Sequence, residues 1–422
     1  MYQTLELGPG INLRYLHSNR FKQGLLSLQF LRPMCRQEAG LNAIIPDILL
    51  RGCQSAPDLR QITAKLDSLY GASIGAQVRR VGDWQTTGLA CGFMEDRFAL
   101  QGDEILAPMT QFLRQLLVEP VTEKGIFRRD YVRSEKRNLI SALESQRSDK
   151  QLYASSQLLK IMCGSDSFAV PRLGEISQVK KITAASAYAH YEKLLHTAPV
   201  EIFYIGSAPL ERVAALTKPI FEGIDRQVQP LPPQTPFSGR TGRRKTEVQT
   251  VNQGKLSMGF TTEITNTDPR FAAMQVLNLI FGGGMNSKLF LKVREEKALC
   301  YAISSGYYGS KGILTVDAGI DPACRRKAQN AILAQLRACQ QGDIQPHELQ
   351  AAKKAMLSGL HSIYDSPGAM ERYFSAAALS GRYRSPEEHE TQIQAVELSH
   401  VVEAANTVQL HSLFFLKGGA HE

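Results

Sequence analysis

No two of the nine histidines in this 422-residue sequence stand three or four residues apart. A helical pair of imidazoles, the usual start of a catalytic zinc site, is therefore missing. No Cys-x-x-Cys occurs either. The seven cysteines, Cys35, Cys53, Cys91, Cys163, Cys300, Cys324 and Cys339, are odd in number, so neither a cysteine zinc site nor a disulfide framework is suggested. Most stand beside apolar residues, as buried thiols do. No apolar run is long enough to span a bilayer, and the opening MYQTLELGPG lacks the basic-then-apolar order of an export signal. A reducing cytoplasm is the expected location, with no membrane partner. There is no nucleophile elbow, and GGGMNSK lacks the glycine before Lys288 that a phosphate loop requires. The net charge of +9 is modest for the length. The one basic cluster, Arg240, Arg243, Arg244 and Lys245, has no interleaved aromatics, so no nucleic-acid partner is expected.

What remains is an ordinary globular composition, 43% hydrophobic and 21% charged, in a chain too long for one core. The spacing of apolar residues predicts two strands over 5–30 and a short helix over 40–52, bent or restarted by Pro46. A second helix follows over 58–69, capped by Asp58. A hairpin over 73–91 turns at Gly82-Asp83. Long helices are expected over 98–117 and, with room for an interruption, over 122–161, then a buried strand at 201–206. The prolines 230, 232, 233 and 236 mark an aperiodic linker over 229–246. The same order then recurs. LSMGF at 256–260 answers LSLQF at 26–30, a helix over 271–281 answers 40–52, and a hairpin over 301–320 answers 73–91. Helices over 325–339 and 346–364 and a terminal strand at 414–416 complete the repeat. The expected fold is α+β, as two homologous halves, 1–228 and 247–422. Each half would be a mixed, largely antiparallel sheet with helices packed on one face.

The stretch most suggestive of chemistry runs from Phe281 to Tyr301, FGGGMNSKLFLKVREEKALCY. Gly282, Gly283 and Gly284 allow a sharp turn and close approach. Arg294 and Tyr301, fixed just beyond, could hold a carboxylate or a carbonyl oxygen gaining charge. A glycine turn followed by a solvated charge run would account for the same residues.

A duplicated α+β half with GGGMNSKLF followed by VREEKALCY resembles the pitrilysin/insulinase-type metallopeptidases, in particular their small bacterial and mitochondrial-processing-peptidase branch. The resemblance covers the whole chain. It implies a clamshell half in which Arg294 and Tyr301 bind the substrate backbone or C-terminal carboxylate, with Tyr301 steadying the oxyanion. The family's His-x-x-Glu-His zinc motif falls within Gly40 to Gly52, where its three chemical positions hold Ala43, Pro46 and Asp47. Two ligands and the general base are thus replaced. The third ligand of the family falls near Ser141-Ala142-Leu143, again without its glutamate.

The resemblance therefore implies a non-catalytic, substrate-binding subunit that holds no metal or cofactor of its own. It would not be active alone. It would pair with a zinc-bearing homologue, or with a second copy of itself, to process peptides, the zinc residing in the partner. A purely structural homologue without a role in hydrolysis is the alternative, and an independent hydrolase with an unrecognised site is a third.

Overall fold

The computed structural model describes residues 2–239 and 241–418, so Arg240 lies outside the described residues. The chain forms two compact units. The first comprises the residues up to Leu143, Val170–Pro233 and Tyr364–Ser375; the second comprises Glu144–Ala169, Gln234–Ile363 and the residues from Ala376 on.

The first unit is built on six strands: β1 (Tyr2–Gly8), β2 (Ile11–His17), β3 (Gln23–Pro33), β4 (Ser73–Val81), β5 (Trp84–Met94) and β8 (Val200–Gly206). They lie in the order β1-β2-β8-β3-β5-β4. Between β5 and β8 in sequence, β6 (Thr122–Glu123) and β7 (Ile126–Phe127) form a small separate hairpin. The second unit holds β9 (Arg244–Gln249), β10 (Gly254–Thr261), β11 (Cys300–Tyr308), β12 (Ile313–Ile320) and β13 (Gln409–Gly418), in the order β11-β12-β10-β13-β9. Read from the opposite edge, this is the order of β2-β8-β3-β5-β4. The senses also agree. β2 pairs parallel with β8 as β9 does with β13, and the remaining neighbours are antiparallel in both sheets. The fold is α+β with mixed, largely antiparallel sheets, and the two sheets share one topology.

In the first unit one sheet face carries Leu26, Leu28, Phe30 and Leu89. Onto it pack Ile44 and Ile48 of the helix Ala39–Leu49, Phe112 and Leu116 of the helix Leu106–Val118, and Ala187 and Leu194 of the helix Ala184–Thr197. No helix among the described residues is long and apolar enough to cross a membrane.

Several boundaries differ from the sequence expectation. The helix expected over 98–117 begins only at Leu106, because the Asp96 carboxylate accepts the N–H groups of Ile105 (2.8 Å) and Leu106 (2.9 Å). The helix expected over 122–161 is three pieces. The β6–β7 hairpin turns on Lys124 and Gly125, both at positive φ. The helix Arg129–Ser148 follows. Asp149 then breaks the helix and caps the next one, Lys150–Cys163, accepting from Gln151 and Leu152 N–H. Strand β9 was not expected: Arg244 and Lys245 open it, inside the stretch read as linker. Pro46 does not interrupt its helix, which runs from Ala39 to Leu49.

Candidate functional site

Pro46 is tolerated for a local reason. Lacking an N–H, it cannot bond the Asn42 carbonyl four residues back. The Thr87 hydroxyl of β5 donates to that carbonyl instead (2.5 Å). The Asn42 side chain extends the same buried network. Its Nδ2 donates to Gln85 Oε1 (2.9 Å), and His190 Nε2 lies 2.6 Å from its Oδ1. An amide oxygen only accepts, so Nε2 carries the proton of a neutral ring. Burial pushes His190 down to about 4, and His389, 2.7 Å from Gln275 Oε1, is likewise pushed down to about 4. The sign follows from linkage. The unfolded chain takes up protons below about 6.5, while the folded chain refuses them until about 4. This contribution to stability is complete above pH 6.5 and is lost as pH falls towards 4, about 3 kcal/mol per histidine. Denaturant titrations at pH 7.5 and 4.5 should show a smaller acid loss for His190→Gln with His389→Gln than for the parent; equal losses would refute the assignment.

The positions that would carry zinc chemistry lie along the helix Ala39–Leu49. Ala43 and Pro46 are buried and offer no donor atom, while Asp47 reaches solvent. The Asp47 carboxyl is pushed up to about 6 by crowding protein atoms and then by Glu135, against the pull of Arg51. Glu135, on the helix Arg129–Ser148, is already engaged. It is ion-paired with Arg51, whose Nη2 also donates to Ser134 Oγ (2.7 Å), and it accepts from Asn138 Nδ2 (2.9 Å). Ser141 and Ala142 of the same helix are exposed. A single carboxylate beside a methyl group and a pyrrolidine ring does not make a zinc site. Among the described residues no group of three or more His, Cys, Asp or Glu could hold a metal.

The glycine stretch lies in the second unit. The helix Phe271–Phe281 ends at Gly282, and the N–H groups of Gly282 and Gly283 both bond the Asn278 carbonyl (2.9 and 2.8 Å). Ser305 of β11 closes the turn, donating its hydroxyl to Asn278 Oδ1 (2.7 Å) and its N–H to the Gly282 carbonyl (2.9 Å). A Cβ on Gly282 would come within 2.7 Å of Leu289 Cδ1 and of Ser305 Oγ, whereas one on Gly284 would meet nothing within 4 Å. Gly282→Ala should therefore cost about 1–3 kcal/mol by overpacking. Gly284→Ala should stay within about 0.5 kcal/mol of the parent. Urea denaturation of the two variants checks this, and equal midpoints would contradict it.

Beyond the turn, Leu289–Glu296 is a π-helix, a form often found at functional sites. Ala298 then adopts a positive φ of 49°, strained for a residue with a Cβ, and sends the chain into β11 at Cys300. Arg294 stacks its guanidinium over the Phe290 ring (4.6 Å) and pairs through Nε with Glu295 (3.2 Å). Glu295 thus holds the guanidinium, while Glu296 pairs with Lys292 (2.7 Å). Burial pushes the Cys300 thiol up to about 11, with Arg294 pulling it down and Glu295 raising it, so both charges lie near the start of β11. Tyr301 is 63% exposed and Met285, in the turn, 73%. Ala43, Pro46 and Asp47 belong to the first unit; Gly282, Gly283, Gly284, Arg294 and Tyr301 belong to the second. Sequence reasoning missed Phe290 as the support of Arg294, although their four-residue spacing on a helix is a visible signal. It also missed Arg51, one turn beyond Asp47.

The model of the peptidase M16 inactive domain family matches residues 181–356. The chain is 27% identical over 409 residues to the probable inactive metalloprotease YmfF of Bacillus subtilis (strain 168), an alignment spanning 97% of this chain and 96% of that protein. Among solved structures, a conserved protein from Enterococcus faecalis V583 matches with a TM-score of 0.92 at 28% identity, covering 100% of this chain and 99% of the other. A peptidase M16 inactive domain from Pseudomonas fluorescens matches with a TM-score of 0.81 at 17% identity, over 100% and 98% of the two chains, a likeness of fold.

Proposed function

From the premise that this chain belongs to the M16 peptidase family as a non-catalytic homologue, we propose that it is the substrate-binding subunit of a peptidase pair. Its partner is a zinc-bearing homologue, which supplies the metal and the general base. This chain supplies Arg294, for a peptide carboxylate or backbone carbonyl, and Tyr301, for the developing oxyanion. Gly282, Gly283 and Gly284 shape the turn that presents them. Without that homologue the chain pairs with a second copy of itself. Its cysteines are free thiols, mostly buried, in keeping with a reducing cytoplasm.

One observation carries the reading. The motif positions Ala43, Pro46 and Asp47 have lost zinc chemistry, while the phenol of Tyr301 and part of the Arg294 side chain remain open to solvent. A residue kept only for packing would be covered. The test is reconstitution with the zinc-bearing homologue of the same organism. The chain alone should not cleave a peptide library, and the pair should cleave it faster than the homologue alone. Equal rates for the homologue with and without this chain would favour the purely structural role.

A further inference from the structure

Four acids among the described residues are buried: Glu95, Glu135, Glu201 and Glu371. Three of them meet an arginine. Glu135 pairs with Arg51, Glu201 with Arg14 (2.7 Å) and Glu371 with Arg79 (2.7 Å). Glu95, the residue after β5, is 3% exposed and meets only neutral donors. Its Oε2 accepts from the Ser207 N–H (2.9 Å) and from the Ser207 hydroxyl. Its Oε1 has a single long bond from the Tyr204 hydroxyl (3.5 Å). The backbone is cut away around that oxygen, since a Cβ on Gly24 or on Gly206 would overlap it. A carboxylate is rarely buried without a cation, because its desolvation is then left uncompensated.

Glu95 lines a cavity of about 270 Å³ in the first unit. Drug-sized ligands fill roughly 300–1,000 Å³, so this cavity suits a smaller molecule. Phe93, Leu106 and Pro209 form an apolar wall, and two arginines also line the space. Arg212 is neutralised by Asp96 (2.7 Å) and Glu104 (3.3 Å). Arg97 is not. It is exposed, and its Nη2 donates to neutral acceptors, the carbonyls of Asn19 (2.8 Å) and Phe21 (3.2 Å). Asp96, the acid next to Glu95, is already taken by Arg212 and by the N–H groups of Ile105 and Leu106. The cavity thus keeps one unpaired negative charge at its buried end and one unpaired positive charge at its exposed end. A divalent cation would need several oxygen ligands, and only the Glu95 carboxylate is unspent.

We propose that this cavity binds a free amino acid with an apolar side chain. The ammonium pairs with Glu95, the carboxylate with Arg97, and the side chain lies against Phe93, Leu106 and Pro209. Each charge of such a zwitterion meets the charge that the cavity leaves open, and both contacts are charge-assisted hydrogen bonds. The site belongs to the first unit, while Arg294 and Tyr301 belong to the second, so it does not rest on their role.

Titration calorimetry of the full-length protein with glycine, L-alanine and L-leucine tests this. L-Leucine should bind. N-acetyl-L-leucine, which has no ammonium, and L-leucinamide, which has no carboxylate, should each bind at least about tenfold more weakly. Glu95→Gln keeps an oxygen for Ser207 but removes the charge. It should weaken L-leucine at least about tenfold and leave N-acetyl-L-leucine unchanged. Arg97→Met, at an exposed position, should weaken L-leucine and spare L-leucinamide, and it gives the same kind of readout if Glu95→Gln does not fold. The proposal is overturned if none of the three amino acids binds up to about 10 mM, if L-leucine and its two blocked forms bind equally, or if the variants keep full affinity for L-leucine.

Discussion

Arg294→Lys and Tyr301→Phe, each assembled with the zinc-bearing homologue, should lower kcat/KM for peptide hydrolysis by roughly tenfold to a thousandfold while leaving the melting temperature unchanged. The size follows from what is lost. Arginine presents a planar fork that bonds both oxygens of a carboxylate, and the ammonium of lysine is a point charge that cannot. Tyr301→Phe removes one donor that matters most when negative charge develops on the carbonyl oxygen. The unchanged stability follows from the surroundings. The Tyr301 ring is largely exposed, and Arg294 contributes only a stack on Phe290 and a half-exposed pair with Glu295, the kind of surface interaction worth under about 1 kcal/mol. The structural alternative gives the opposite pattern, with stability reduced and activity per folded complex unchanged. Melting temperature and rate, measured on the same preparations, separate the two. Two variants with full activity would end the proposed role.

The repeated order of strand, helix and hairpin was legible because each element carries its own apolar period. The serines at equal places in LSLQF and LSMGF proved to be equal in role, each donating to a carboxylate, that of buried Glu371 or that of half-buried Asp317. That Ala43 and Pro46 offer no ligand atom was legible too, since it holds whatever their surroundings. What could not be read were partners distant in sequence. Nothing near Pro46 announces that Thr87 supplies the missing donor, and nothing near Glu371 announces Ser27, 344 positions away. The start of the helix at Leu106 depends on Asp96, ten residues upstream, whose carboxylate competes with helix propensity over the intervening turns. That residues 144–169 build into the second unit and 364–375 into the first left no local trace, because an amphipathic helix shows that it has a partner and not which sheet provides it.

Lys311 shows the same limit with a larger energetic consequence. In the sequence it stands in Ser310-Lys311-Gly312, a hairpin turn where a lysine is ordinarily solvated. In the structure it is 1% exposed. Its ammonium lies 3.0 Å from Asp166 Oδ1 and donates to the Thr235 carbonyl (2.9 Å), while its backbone carbonyl accepts from Phe237 N–H (2.9 Å). The turn thus fastens the chain entering the second unit and the end of the helix Lys150–Cys163 to the β11–β12 hairpin. Lys311→Met keeps the length and the apolar stem but removes the ammonium from a carboxylate that is itself largely buried. Breaking such a pair by one partner costs about 3–5 kcal/mol, because the remaining charge stays desolvated. Asp166→Asn in the Lys311→Met background should recover part of that loss, since the charge is then gone while the side chain can still accept the Phe168 N–H, now at 2.8 Å. Urea denaturation of the parent, both single variants and the double variant closes the cycle. A Lys311→Met loss below about 1 kcal/mol would mean that the ammonium reaches water on thermal motion and that its burial contributes little. A full loss without recovery in the double variant would assign the cost to packing around the stem instead of to the stranded carboxylate.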